Sequence, residues 1–488
     1  MMNEELKRDL DSSFIILHSS FSNTAPATNK KTSHQPHMDL WDVFLTPLYL
    51  LLIYMLAYVI RPWVSDAHTR KYFLPGLSVK IVGALGVGLV YQFYYGGGDT
   101  FNYYHDVGFV WKAFQESPLS ALKLIFGENR YLPDTFEYAS QMWFFRDSHS
   151  YGVVRFAGFF SLLSFNVYGV IACMFAVLSF SGLWVLYLTF YKLYPYLHKH
   201  LAWAVLFIPS VFFWGSGLLK DTLTLAAVGW ATYAVYKIFF RREWVLLFSI
   251  VLLLSCWLIY SIKIYILLCF LPAAILWVFL SRVGKIRSFA LKAMVTPLVL
   301  IIAAGLGYMA IIQVGEDSGR YNINNISHTA EATARWLTYV SEQQGGSLYT
   351  LGDYDYSPMG MLRKTPLAIN VTLFRPYLWE VKNPVMLLSS LESLVLLVFT
   401  LYVFYKRGVK NTFKNIAGNP FLVFCLLFSL SFAFAIGIAT YNFGSLVRYK
   451  IPMLPFYVAA LVVLFPYPSK RPRKTGVLAS TEKRSVTA

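Results

Sequence analysis

Charge is scarce in this chain. Of its 488 residues, 14% are Asp, Glu, Lys or Arg, whereas 57% are hydrophobic and the mean hydropathy is +0.52. A soluble domain of this length has no way to hide so much apolar surface, which excludes an ordinary water-soluble fold. Cysteine is scarce too. Cys173, Cys256, Cys269 and Cys425 all lie in apolar runs without CxxC or zinc spacing, which argues against a disulfide framework and a zinc site. Walker A, HExxH and GxSxG motifs are missing, as is a glycine fingerprint following a strand. A self-contained ATP-driven pump is thereby excluded, and the same absence argues against a cytoplasmic nucleotide-sugar enzyme. The apolar runs also lack histidine, against the deep histidine expected of a membrane O-acyltransferase. No internal repeat is evident.

What is present is a series of apolar runs. A membrane span needs roughly 20 apolar residues. Candidates fall at 43–60, 74–95, 166–191, 201–216, 220–240, 244–261, 263–281, 290–313, 383–405, 419–440 and 450–467. The expected fold is therefore an all-α polytopic membrane protein of about eleven transmembrane helices. Residues 1–42 read as a disordered N-terminal segment without a cleavable signal, with Met38 a candidate alternative start. Residues 43–467 form the membrane domain, and 468–488 a basic cytoplasmic tail.

The net charge of +17 invites a nucleic-acid reading, but the cations sit in short loops beside apolar runs, so no nucleic-acid partner is expected. The loops 61–73, 192–200, 241–243, 282–292 and 406–418, with the tail, hold 21 Lys and Arg against three acids. The alternate set, 96–165, 314–382 and 441–450, holds 13 against 14. The positive-inside rule places the first set in the cytoplasm and the two long loops, 96–165 and 314–382, outside. Segments 151–165 and 366–380 are short apolar stretches broken by Arg155 and by Arg375-Pro376, and read as interfacial helices.

Four constellations carry candidate chemistry. Gly96-Gly97-Gly98-Asp99 lies where the second run leaves the membrane. Three glycines permit unusual backbone angles and close approach of a ligand. Asp99 there suits a general base, or a divalent-cation ligand (Mg or Mn) with His105 and Asp106; the plainer alternative is a helix-capping aspartate. Lys220-Asp221 joins two spans at the same face, where charge is costly and a phosphate would find both a lysine and a helix N-terminus; a tight helical hairpin is the plainer reading. Arg375 and Arg448, with Lys450 and Glu380 nearby, place guanidinium forks at the outer interface, suited to phosphate or simply snorkelling to headgroups. Lys263 and Glu392 are isolated charges near or inside spans. The run Gly352-Asp353-Tyr354-Asp355-Tyr356 reads as a solvated loop.

The Gly98-Asp99 motif with Tyr103 and Tyr104 downstream, followed by a long outer loop, resembles the GT-C superfamily of glycosyltransferases. The motifs around Ser216–Asp221 and Gly444–Arg448 resemble bacterial envelope proteins, including polysaccharide polymerases. The resemblance implies an enzyme of the bacterial inner membrane that takes a sugar from a polyprenyl-phosphate or -diphosphate donor and passes it to a glycan or lipid acceptor. Asp99 would be catalytic, with Lys220, Asp221, Arg375, Arg448, Lys450 and Tyr103 binding substrate. One feature departs from the pattern: an extra helix, 43–60, precedes the one bearing Asp99. The competing expectation is a transporter or flippase of lipid-linked glycans or other anions.

Overall fold

The computed structural model describes residues 40–283, 347–352, 358–440 and 442–467. The expected span 290–313, the terminal segments, most of the loop 314–382 and the acidic run from Asp353 to Tyr356 lie outside the described residues.

The described chain is helical and built for a bilayer. Seven helices are long and apolar enough to cross a membrane, or eight if a bent pair is taken as one span. In chain order the first elements are α1 (Leu40–Val64), α2 (Arg70–Leu89), α3 (Asp99–Glu116) and α4 (Ser148–Ser164). Next come α5 (Tyr168–Leu193), α6 (His198–Leu206), α7 (Pro209–Trp214), α8 (Lys220–Val235) and α9 (Val245–Val283). After the undescribed stretch follow α10 (Pro384–Arg407), α11 (Pro420–Ala439) and the bent pair α12 (Phe443–Tyr449) and α13 (Leu454–Leu464), which meet at 68°.

The expected span 201–216 is not one helix. Pro209 lacks an N–H and drives the preceding residue out of helical geometry, and Ile208 is extended at φ −70°, ψ 124°. The result is α6, a break, α7, and an irregular turn to Lys220. This broken segment runs beside α2. His198 meets Tyr72 at 3.1 Å, Gly215 meets Lys80, and a Cβ on Gly217 would meet Val87.

Two polar side chains hold the break inside the apolar interior. The Glu392 carboxylate accepts from Ser210 N (2.8 Å) and Oγ (2.7 Å) at the start of α7. At its end Lys80, 1% exposed, donates to Val211 O (3.1 Å), Gly215 O (2.6 Å) and Ser179 Oγ (2.9 Å). An acid at the amino end and a cation at the carboxyl end match the local dipole and satisfy groups that lipid leaves unpaired.

The expected runs 244–261 and 263–281 form the two halves of α9, which is non-helical at Lys263 (φ −147°, ψ 79°). Near the start of α9, Phe248 packs 5.5 Å from Tyr233. Near its end, Trp277 lies 4.6 Å from Phe240, and Arg282 donates to Phe239 O. All these contacts fall at the far end of α8, whereas Lys263 reaches Asp221 at its beginning. A straight helix would separate Phe248 from Arg282 by about 50 Å. The two halves therefore fold back on each other with Lys263 at the tip.

Short basic turns gather at one end of the bundle, linked by Lys192–Asp66 (3.7 Å), Tyr72–His198 and Asn419–Tyr194 (2.8 Å). The first long loop lies at the other end as a layer of helices. Its helix α4, holding the apolar segment 151–165 up to its last residue, packs on α3, and His149 Nδ1 donates to Ser261 O at the α9 tip (2.7 Å).

Helices α5 and α8 cross at glycine. A Cβ on Gly182 would sit 2.3 Å from Ala226 O, and one on Gly229 2.1 Å from Gly182 O. Small residues allow such backbone approach in membrane bundles. Gly229→Ala must push two backbones apart and is expected to cost about 3 kcal/mol. Thermal unfolding in detergent measures this against Gly108→Ala, where nothing lies within 4 Å; equal melting of the two variants would refute the tight crossing.

Candidate functional site

The glycine run makes the turn that delivers Asp99. Gly96, Gly97 and Gly98 all have positive φ, at 67°, 136° and 128°, angles that side chains resist. A Cβ on Gly98 would sit 2.6 Å from the ring of Tyr91. The chain thus folds back over the end of α2 and starts α3 at Asp99 with its carboxylate above Tyr91.

Around that carboxylate five other elements converge. Arg448, on α12, donates through Nη1 to Asp99 Oδ2 (2.8 Å) and to the Tyr91 hydroxyl (3.0 Å). Its Nη2 lies 3.6 Å from Asp221 Oδ2, at the start of α8. The other Asp221 oxygen accepts from Lys263 at the α9 tip, and the Lys263 ammonium also stands 4.5 Å over the Tyr449 ring. Lys220 lies 3.7 Å from Asp147, which caps α4 by accepting from His149 N (3.2 Å). Three carboxylates and three cations form a balanced cluster at the long-loop end of the bundle. Most of it is sequestered: side-chain exposure is 1% for Asp221, 8% for Asp147, 9% for Lys263 and 10% for Lys220. Asp99, at 33%, is the member that reaches the surface.

No protein-family model, curated protein or solved structure matches this chain.

The cluster gathers Asp99, Lys220, Asp221 and Arg448 from the sequence-derived set, with Tyr103 beside them. Tyr103 is buried and stacks on Phe144 at 4.7 Å. Burial, then the negative charges of Asp99 and Asp147, push its phenol well above the usual tyrosine range, so the hydroxyl stays neutral.

Three expectations need correction. The ligand set Asp99, His105 and Asp106 is not assembled: among the described residues no group of three His, Cys, Asp or Glu side chains forms a metal site. Asp106 is fully buried and accepts from Trp143 N (2.9 Å), Phe144 N (2.8 Å) and His105 Nδ1 (3.1 Å). It pins the loop to α3, while the His105 ring stacks on Trp143 at 4.0 Å. Arg375 belongs to a different place. It forks onto Glu380 and lies 5.2 to 5.8 Å from the rings of Phe443, Tyr349 and Tyr377. Burial alone would raise the Glu380 carboxyl, but Arg375 and the Tyr377 N–H hold it below its ordinary value. Lys450 points inward, fully buried, and donates to Ser393 Oγ (3.1 Å), away from any outer surface.

Sequence reasoning passed over Asp147, Tyr91 and the site role of Lys263. Asp147 carried a signal, an Asp-Ser-His start to an apolar helix. Lys263 stood at the junction of two apolar runs on the same face as Lys220. Tyr91 carried none.

Proposed function

We propose that the chain is a membrane glycosyltransferase or glycan polymerase of about eleven spans. It would use a polyprenyl-phosphate or -diphosphate sugar at the outer face of the bacterial inner membrane, in envelope glycan assembly. One observation carries the reading: a surface-reaching carboxylate, Asp99, directly above buried cations at the end of the bundle where the chain leaves the apolar region. The acceptor hydroxyl oxygen attacks the anomeric carbon, and its proton passes to Asp99. The bond from that carbon to the phosphate oxygen breaks, and the lipid phosphate leaves with the electron pair beside Arg448 and Lys220. The helical layer of the first loop gives the lipid-borne substrate an interfacial bed.

Deleting the gene in its host and analysing lipid-linked intermediates by mass spectrometry tests this. Polyprenyl-linked sugar is expected to accumulate while a surface glycan is lost or shortened, with rescue by wild type and not by Asp99→Asn. Unchanged glycans and intermediates would remove the transferase reading.

A second reading, a flippase or transporter of lipid-linked glycans or other anions, draws on the broken segment α6–α7 with Lys80 and Glu392 at its half-helix ends, a device used where membranes are crossed by solutes. Movement of a labelled lipid-linked glycan across proteoliposomes, undiminished in Asp99→Asn, would favour it.

A further inference from the structure

Arg448 has two carboxylate neighbours, and they differ in one respect. Asp221 is 1% exposed and is also bound to Lys263, so it cannot leave without stranding two buried cations. Asp99 is 33% exposed, and among the described residues its carboxylate pairs with Arg448 and with no second cation. The Arg448 guanidinium also retains Tyr91 as an acceptor, and its buried Nε has no hydrogen-bond partner among the described residues. The arginine is thus anchored from below by Asp221 and Tyr91 and covered from above by an aspartate open to exchange.

The charge balance has a consequence for a phosphate ligand. Asp99, Asp147 and Asp221 neutralise Lys220, Lys263 and Arg448, so the resting cluster offers no net positive charge. An anion gains a cation here only by taking the place of a carboxylate. Asp99 is the one whose departure leaves no buried charge behind it, because it moves into solvent and its place on Arg448 is filled. Phosphate oxygens fit a guanidinium fork as well as a carboxylate does.

We propose that Asp99 is an exchangeable plug on Arg448: the donor's phosphate or diphosphate displaces its carboxylate from the guanidinium, and the displaced Asp99 becomes the free base at the mouth of the site. This rests on the transferase reading above and adds to it an order of events. In the resting state the base is tied up in an ion pair with Arg448. Donor binding releases it beside the bond to be broken. Transfer is therefore coupled to occupancy of the phosphate site, and the unloaded protein holds no free base to act on water.

The test uses the purified full-length chain in detergent, with inorganic pyrophosphate as the probe and isothermal titration calorimetry as the readout, at one fixed salt concentration. Size exclusion and thermal unfolding check that each variant is folded, and Asp99→Ser stands beside Asp99→Asn in case one is not. Removing the competing carboxylate is expected to tighten pyrophosphate binding by at least about tenfold in both Asp99 variants, and Arg448→Gln to weaken it below wild type. Asp99 variants that bind no tighter than wild type, while Arg448→Gln still weakens binding, would overturn the plug and leave the transferase reading standing. If neither wild type nor the Asp99 variants bind pyrophosphate, the phosphate site itself is gone, and the transferase reading falls with the proposal.

Discussion

Asp221→Asn is expected to destabilise the protein by about 3–5 kcal/mol, the cost of removing one member of a buried ion cluster. The reason lies in what remains. Asp221 is 1% exposed and holds Lys263 through one oxygen and Arg448 through the other. An amide keeps the shape but removes the charge, and it turns an N–H₂ group toward one of two cations. Lys263 sits at the tip of the α9 hairpin and Arg448 on the bent pair leading to the last span, so the loss is felt by three spans at once. Thermal unfolding in detergent measures it. The double variant Asp221→Asn with Lys263→Met removes one of the stranded cations and is expected to recover part of the loss, and the size of that recovery is the coupling between the two residues. An Asp221→Asn protein that melts with wild type would mean that the cluster contributes nothing to holding these elements together.

How much of this was legible beforehand follows from what lipid demands. The long apolar runs were readable because a bilayer allows no other composition, and the helices Leu40–Val64, Tyr168–Leu193, Pro384–Arg407 and Pro420–Ala439 lie on the runs read at those places, with ends a few residues apart. The reversal in α9 was readable from the single lysine between two apolar runs. The broken segment was not. Its apolar content from 201 to 216 is that of a span, and only Pro209 hinted otherwise. Lys80 went unremarked because it lies in a run that passes as an ordinary span, and its partners are carbonyls 131 and 135 residues away, freed by that break. The site was half legible for the same reason. Local motifs marked Asp99, Lys220, Asp221 and Arg448, but nothing local says that Arg448 folds onto a carboxylate 349 residues earlier. Arg375 and Lys450 carried the same kind of signal as Arg448. Their partners, Glu380 and Ser393, draw them elsewhere.

Asp106 and Asp99 lie seven residues apart at one motif, and opposite phenotypes are expected of them. If the proposed transferase reading holds, Asp99→Asn removes the base from a partly exposed position, so transfer is expected to fall by at least about a hundredfold. Its ion pair is open to solvent and its amide still accepts from Arg448, so the melting temperature should move little. Asp106→Asn does the reverse. The Asp106 carboxylate is fully buried and answers two backbone N–H groups, of Trp143 and Phe144, one on each oxygen. An amide presents one oxygen and one N–H₂, so one of those backbone donors must face another donor in the interior. The expected loss is about 2–4 kcal/mol, from one orphaned buried N–H and one weakened charge-assisted bond. Unfolding in detergent and transfer by the protein that remains folded, measured on the same preparations, separate the two. If Asp106→Asn instead melts with wild type and loses transfer, the carboxylate has a role in the chemistry that its hydrogen bonds do not reveal. If it loses stability alone, the sequence motif splits into one residue that reacts and one that holds the loop in place.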